Sequence, residues 1–341
     1  MPLDAATVLR VVLIAAQAGT LLITWPLWQP RSVPAELPVL ELPAIPFGVL
    51  LLGTLGLVLL RPTLGVLLHG GMLGLAVLAD QTREQPPVLA MALLLVATLP
   101  WSQATRFGVA QLAATWGWAG LGKLTSPRAW DEVGGFVLGL AADAATPMTT
   151  ARAVTLALGA VELGLAVLAL VARTRPLAGR LGCVLHLGIL GLLSPLGRDW
   201  NAAVWPWNAA LAAASLLLLR GAPAGPSPLA TPKSRWFPVA ASMLFVGLPI
   251  GFHLGFVDAP LAQQVYTGNT CRALVLSRDG RSEVVSLQPA LRVMLPPVPR
   301  IFRVWFARHG GPGDRMILID DRPLASMWGP REQQVRWPGV R

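Results

Sequence analysis

Hydrophobic residues in this chain fall into long unbroken runs rather than the short alternations of a soluble fold. Up to about residue 260 each run is near the ~20 residues that a helix needs to cross the hydrocarbon of a bilayer. The pattern predicts nine transmembrane helices, at 8–28, 45–60, 63–80, 87–104, 106–122, 151–172, 179–196, 203–219 and 237–257. Residues 29–44 are proline-rich and amphipathic, which suits an interfacial loop. In 123–150 charged residues precede FVLGLAADAA, too short to span, so this segment is expected to be re-entrant or interfacial. The Pro/Gly/Ser-rich stretch 220–236 is expected to be an exposed linker.

Past residue 260 the pattern changes to strand-like alternation. CRALVLS and SEVVSLQ flank RDGR, where Asp279-Gly280 makes a good hairpin turn. LRVML, IFRVWFARH and RMILID follow and are taken as the rest of a small β-sandwich or sheet. The predicted architecture is an all-α polytopic membrane bundle over 1–260 with a C-terminal β domain over 261–341.

Composition agrees with this division. Of 341 residues, 54% are hydrophobic and 13% charged, against about 25% charged in an ordinary soluble domain. The net charge of +10 sits in short loops, without the arginine-rich arm or basic helix face of a nucleic-acid binder. Basic residues there act on orientation instead. With the N-terminus inside, the denser clusters (Arg173, Arg175 and Arg180 among them) fall on the inner side. The N-terminus is therefore expected in the cytoplasm and the C-terminal domain outside, in a multi-pass plasma-membrane protein. Tryptophans 25, 28, 101, 116, 118, 205, 207 and 236 fall near predicted helix ends, as an interfacial belt requires. No basic cluster precedes the first apolar run and no A-x-A site follows it, so that run is read as a retained helix. Cys183 and Cys271 fall in different compartments, and neither CxxC nor metal-ligand spacing occurs, so neither disulfide nor metal is expected.

Ionisable groups inside apolar helices cost about 2.5–3.5 kcal/mol each on insertion scales and are candidates for function. Of 27 basic residues only Lys123 and Lys233 are lysine. Lysine, unlike arginine, can be made neutral by burial and so serve as a base; a helix-end cation snorkelling to the interface is the bland alternative. Glu162 lies mid-span and must be protonated or paired on another helix. His69 and Asp80 are eleven residues apart, almost three helical turns, and are expected to face the same way. His186 is mid-span. Asn201, Trp205 and Asn208 share a face by i, i+4, i+7 spacing if the helix starts early enough. By depth, Lys123, Asp80, Arg83, Asn201 and Asn208 are expected to converge on a polar cavity in the outer half of the bilayer, with Lys123 as the base and Asp80, Arg83, His69, Glu162, His186, Asn201, Trp205 and Asn208 binding substrate.

WAGLGKL (118–124), followed by Trp130, resembles a segment of the horizontally transferred transmembrane (HTTM) family, which includes vitamin K-dependent γ-carboxylase. There an AGLKKLxxxW segment carries the catalytic lysine, which aligns with Lys123; the first lysine of that pair is Gly122 here. DQTREQP, HLGILGLLSPLGRDWNAAVWPWN, YTGNT and IFRVWF are similar to other parts of such membrane proteins. The resemblance implies a lipid-soluble quinol of the vitamin K type as cosubstrate, with Lys123 as general base in carboxylase or epoxidase-like chemistry. It leaves open a protein partner at the outer face. The alternative is a non-catalytic, DoxX-like membrane subunit of an electron-transfer or assembly complex.

Overall fold

The computed structural model describes residues 4–141, 147–197, 199–220, 236–262, 268–285, 287–322, 324, 327 and 330–337. Most of the expected linker, and Tyr266 and Thr267 of YTGNT, lie outside these residues.

The helical part is built from α1 (Ala5–Ile23), α2 (Phe47–Leu60), α3 (Pro62–Ala79), α4 (Pro86–Val96), α5 (Ala104–Thr125) and α6 (Pro127–Ala141). It continues through α7 (Met148–Leu170), α8 (Arg175–Leu193), α9 (Trp205–Arg220), α10 (Trp236–Ser242) and α11 (Leu248–His253). Proline opens α3, α4 and α8 in the first turn, where its missing N–H costs nothing and its fixed φ suits the helix. Asp4 caps α1, its carboxylate accepting from the Thr7 N–H at 2.8 Å.

Five helical segments are long and apolar enough to cross a membrane: Ala5–Ile23, Pro62–Ala79, Met148–Leu170, Arg175–Leu193 and Ala202–Leu219. The expectation of nine spans is not supported. α2 and α4 have 14 and 11 residues, which at 1.5 Å per residue fall short of the ~30 Å hydrocarbon. α5 is long enough at 22 residues but carries Arg106, Gln111 and Lys123. The segment expected at 237–257 is interrupted by a π-helical turn, Met243–Gly247, between α10 and α11. Large apolar side chains point outward from the bundle, among them Leu60, Leu67, Val161, Leu177 and Val184. An apolar exterior around buried polar groups suits lipid as the surrounding solvent.

The C-terminal part forms a four-stranded antiparallel sheet in the order β2-β1-β5-β6. Its strands are β1 (Cys271–Leu276), β2 (Ser282–Val285), β5 (Arg315–Asp320) and β6 (Glu332–Arg336), with a two-stranded pair β3 (Leu287–Gln288) and β4 (Val293–Met294) beside it. β1 and β2 meet as expected across Asp279-Gly280, with Gly280 at φ 85°. IFRVWFARH, expected to be a strand, is instead helix α12 (Pro299–His309). Ile301, Phe302, Trp305, Phe306 and His309 repeat at helical spacing, and Pro299 stands in the first turn. The buried stripe Ile301, Phe302 and Phe306 packs with Ala273, Val275, Met316 and Leu318 of the sheet.

The two parts share their cores. Leu37, from the loop after α1, is fully buried in the sheet–α12 cluster, while Leu291 and Val293 are buried in the bundle cluster. The loop is also tied to the end of α3, the N–H groups of Val39 and Leu40 donating to the Leu78 carbonyl.

Candidate functional site

Lys123 lies in the last turn of α5, where a cation complements the helix dipole. The α5 and α7 backbones touch a turn away. A Cβ on Gly120 would sit 2.6 Å from the Gly159 carbonyl oxygen, and one on Gly159 would sit 3.1 Å from Lys123 Cβ. This approach brings Glu162 of α7 to the level of Lys123. Lys123 Nζ donates to both carboxylate oxygens, at 2.8 and 3.0 Å. Lys123 is 5% and Glu162 8% exposed, so the contact is a buried, two-pronged ion pair. Trp130 Nε1 donates to the Lys123 carbonyl at 3.0 Å, and Asn269 Nδ2 reaches the Gly122 carbonyl at 3.4 Å. The lysine thus neither snorkels to water nor stands apart from a carboxylate.

Asp80 and Arg83 form a second group, in the turn between α3 and α4. Asp80 Oδ2 accepts from Arg31 Nη2 and from the Thr82 hydroxyl, and Oδ1 accepts from the Leu37 and Thr82 N–H groups. Arg83 Nε donates to the Leu27 carbonyl at 2.8 Å, and Nη2 to Glu36 Oε1 at 2.7 Å and the Gln29 carbonyl at 3.1 Å. Its guanidinium lies over the Phe47 ring, 4.9 Å from the centroid. Desolvation lowers the pKa of Arg83 from its ordinary value, against the charges of Asp80 and Glu36. A cavity of about 110 Å³ opens beside Arg83, with Glu36, Glu41 and Phe47 in its lining. That is well under the ~300–1,000 Å³ of a typical ligand pocket.

His69 does not join Asp80. Its ring bridges α1 and α2, with Nδ1 2.8 Å from Thr54 Oγ1 and Nε2 2.8 Å from Gln17 Nε2. Thr54 donates its hydroxyl to the Leu51 carbonyl, so Nδ1 carries the proton and Nε2 accepts from Gln17. The imidazole is neutral with both nitrogens engaged.

His186 and Asn208 form a fourth group. Trp116 Nε1, a donor only, gives its proton to His186 Nε2 at 3.0 Å; His186 Nδ1–H then donates to Asn208 Oδ1 at 3.1 Å. Asn208 Nδ2 donates in turn to the Val204 carbonyl at 3.0 Å. This chain joins α5, α8 and α9 and is satisfied along its length.

Asn201 does not share a helical face with Asn208, whereas Trp205 and Asn208, three residues apart in α9, do. Asn201, at φ 48°, precedes the short 3₁₀ turn Ala202–Val204, and α9 starts only at Trp205. Left-handed backbone is tolerated by Asn, and it ends the helical register that the spacing assumed. Trp205 Nε1 donates to the Trp200 carbonyl at 3.1 Å.

Seven of the nine expected residues therefore fall into four separate groups, in which Lys123 meets Glu162 and Arg83 meets Asp80, Nε to Oδ2 at 3.7 Å, as oppositely charged pairs. Arg31, Glu36, Gln17, Thr54 and Trp116 complete these groups and were not legible as partners. The available signal was their polarity or bulk beside apolar runs, which does not reveal contacts across separations of 15 to 70 residues. Among the described residues, no cluster of three or more His, Cys, Asp or Glu could hold a metal ion. Compared with protein families, curated proteins and solved structures, the chain matches none.

Proposed function

We propose that the protein is an integral membrane enzyme in which the Lys123–Glu162 pair accepts a proton from a lipid-soluble, quinol-type substrate. The resemblance of WAGLGKL to the HTTM segment gives the substrate class, a reduced quinone of the vitamin K kind. The observation that carries the reading is the pair itself: the chain uses arginine almost everywhere, yet a lysine is buried here against a carboxylate.

The proton balance closes within the pair. Transfer of the Lys123 proton to Glu162 turns an ion pair into a neutral amine beside a neutral acid, which a low-dielectric site favours by removing two buried charges. The amine then takes the O–H proton of the quinol, leaving a quinolate beside an ammonium. One proton leaves the substrate and one is gained by the pair. Asp80, Arg83, His69, His186 and Asn208, whose polar groups are engaged within the protein, hold the scaffold in this reading.

Lys123→Arg tests it. Arginine keeps the charge and can pair with Glu162, but it cannot lose its proton. The variant is expected to fold and to lose quinol turnover, measured in proteoliposomes with a reduced naphthoquinone. Retained turnover refutes the base assignment. A second reading, a non-catalytic DoxX-like subunit, takes the two-pronged contact as a structural tie between α5 and α7. It expects Lys123→Arg to be silent in every assay and no quinone in the lipid that co-purifies with the protein.

A further inference from the structure

Three segments remote in sequence meet where the C-terminal part rests on the bundle. Glu84, in the turn between α3 and α4, is almost fully buried, its side chain 2% exposed. Asp258 lies just beyond α11, and Arg300 stands in the first turn of α12. Arg300 Nη2 donates to Glu84 Oε2 at 2.9 Å and also to Asp258 Oδ2, to which Arg300 Nε donates at 3.0 Å. Two carboxylates thus converge on one nitrogen of a single guanidinium. The cation is also placed where the α12 dipole opposes it, so it does not fully offset both negative charges.

The remaining charges nearby do not correct this imbalance. Arg83, beside Glu84 in sequence, turns away to Glu36 and the Leu27 carbonyl. Arg322 acts on Asp258 but is itself held by both carboxylate oxygens of Asp320. Gln85 is neutral and is committed to the Thr82 and Met294 carbonyls. Glu84 is the buried carboxylate of the pair and the one for which ionisation costs most.

We propose that Glu84, Arg300 and Asp258 form a proton-operated latch that seats the C-terminal domain on the bundle, tight with Glu84 protonated and looser with it ionised. Burial first, and then Asp258, push the Glu84 pKa up to about 7, with Arg300 pulling the other way. In the open chain the same carboxyl would titrate near its ordinary 4.5. The seated form therefore binds the proton more tightly. The stability this supplies is complete below the ordinary value and is lost as pH rises through about 7. Other contacts persist in both states, including Gln85 to the Met294 carbonyl and Arg128 to Asp321. The latch thus adjusts the seating without releasing the domain.

Hydrogen–deuterium exchange of the full-length protein in lipid nanodiscs tests the latch, with rates corrected for their intrinsic pH dependence. Protection of the α12 amides is expected to fall at least about ten-fold between about pH 5 and about pH 8. Glu84→Gln, which mimics the protonated acid, should keep α12 protected throughout that range. Asp258→Asn removes the neighbouring charge and should shift the midpoint downward. Protection that is flat with pH in the wild type overturns the proposal. So does a Glu84→Gln protein that keeps the wild-type pH profile, or an Asp258→Asn midpoint that does not move.

Discussion

At the scale of single residues, the polar groups inside this bundle fall into two kinds. In the Trp116–His186–Asn208 chain Trp116 donates, and His186 and Asn208 each accept once and donate once. Trp116→Phe removes the donor together with the five-membered ring that carries it, leaving His186 Nε2 buried without a partner beside a small void. Such an orphaned group costs about 1–3 kcal/mol, so a lower thermal unfolding midpoint in detergent is expected; an unchanged midpoint would mean that the bond contributes nothing. The Lys123–Glu162 pair differs because its members are oppositely charged side chains buried on different helices. Glu162→Leu alone strands a buried ammonium and is expected to destabilise by about 3–5 kcal/mol, whereas Lys123→Met with Glu162→Leu should recover most of that loss. Denaturation of the two variants beside the wild type gives the comparison directly, and equal loss in single and double variants would contradict the pairing.

At the scale of elements, glycine on both sides of the α5–α7 contact sets the separation of the two backbones. Gly120→Leu places a branched side chain where even a Cβ meets the Gly159 oxygen at 2.6 Å. Overpacking of this sort typically costs about 1–3 kcal/mol. It should also move Glu162 from Lys123, seen as increased labelling of the lysine by an amine-reactive probe. In α12, Phe306 is fully buried against the sheet, and Phe306→Ala is expected to cost about 3–5 kcal/mol, with loss of the sheet's circular dichroism before that of the helices.

The element scale is also where the sequence was most and least legible. Long apolar runs gave the helical bundle, and Asp279-Gly280 gave the β1–β2 hairpin. IFRVWFARH was misassigned because aromatic and β-branched residues favour strands while its spacing favours a helix; burial of Ile301, Phe302 and Phe306 on one stripe decides for the helix. Span number was overestimated because hydropathy measures apolarity and not helix length. The site was legible residue by residue and not as an arrangement. Glu162 had to find a partner on another helix, but nothing in the periodicity of α7 identifies that partner as Lys123.

At the scale of the whole molecule, basic residues cluster at the bundle end away from the sheet: Arg106, Arg173, Arg175 and Arg180 against few acids. By the positive-inside tendency that end is expected to face the cytoplasm. A phosphatase fusion after residue 341 should therefore be active and a green fluorescent protein fusion there dark. The reverse pattern would turn the protein over in the membrane.

The contacts between the C-terminal part and the bundle make that part a splint. Arg308 holds the Glu36 carbonyl, Arg300 holds Glu84, Met294 holds Gln85, Asn269 reaches Gly122 and Asp321 holds Arg128. These anchor points run from the loop after α1 to the first turn of α6, so one structure spans the sheet-side ends of α3, α4, α5 and α6. At the opposite end the ties are fewer, Arg10 holding the Thr98 carbonyl among them, so the helices splay more readily there, like the ribs of a fan. Any breathing that admits a lipid-borne molecule between them must then widen toward the opposite membrane face, and the entrance and the Lys123 end of the bundle would lie at different depths.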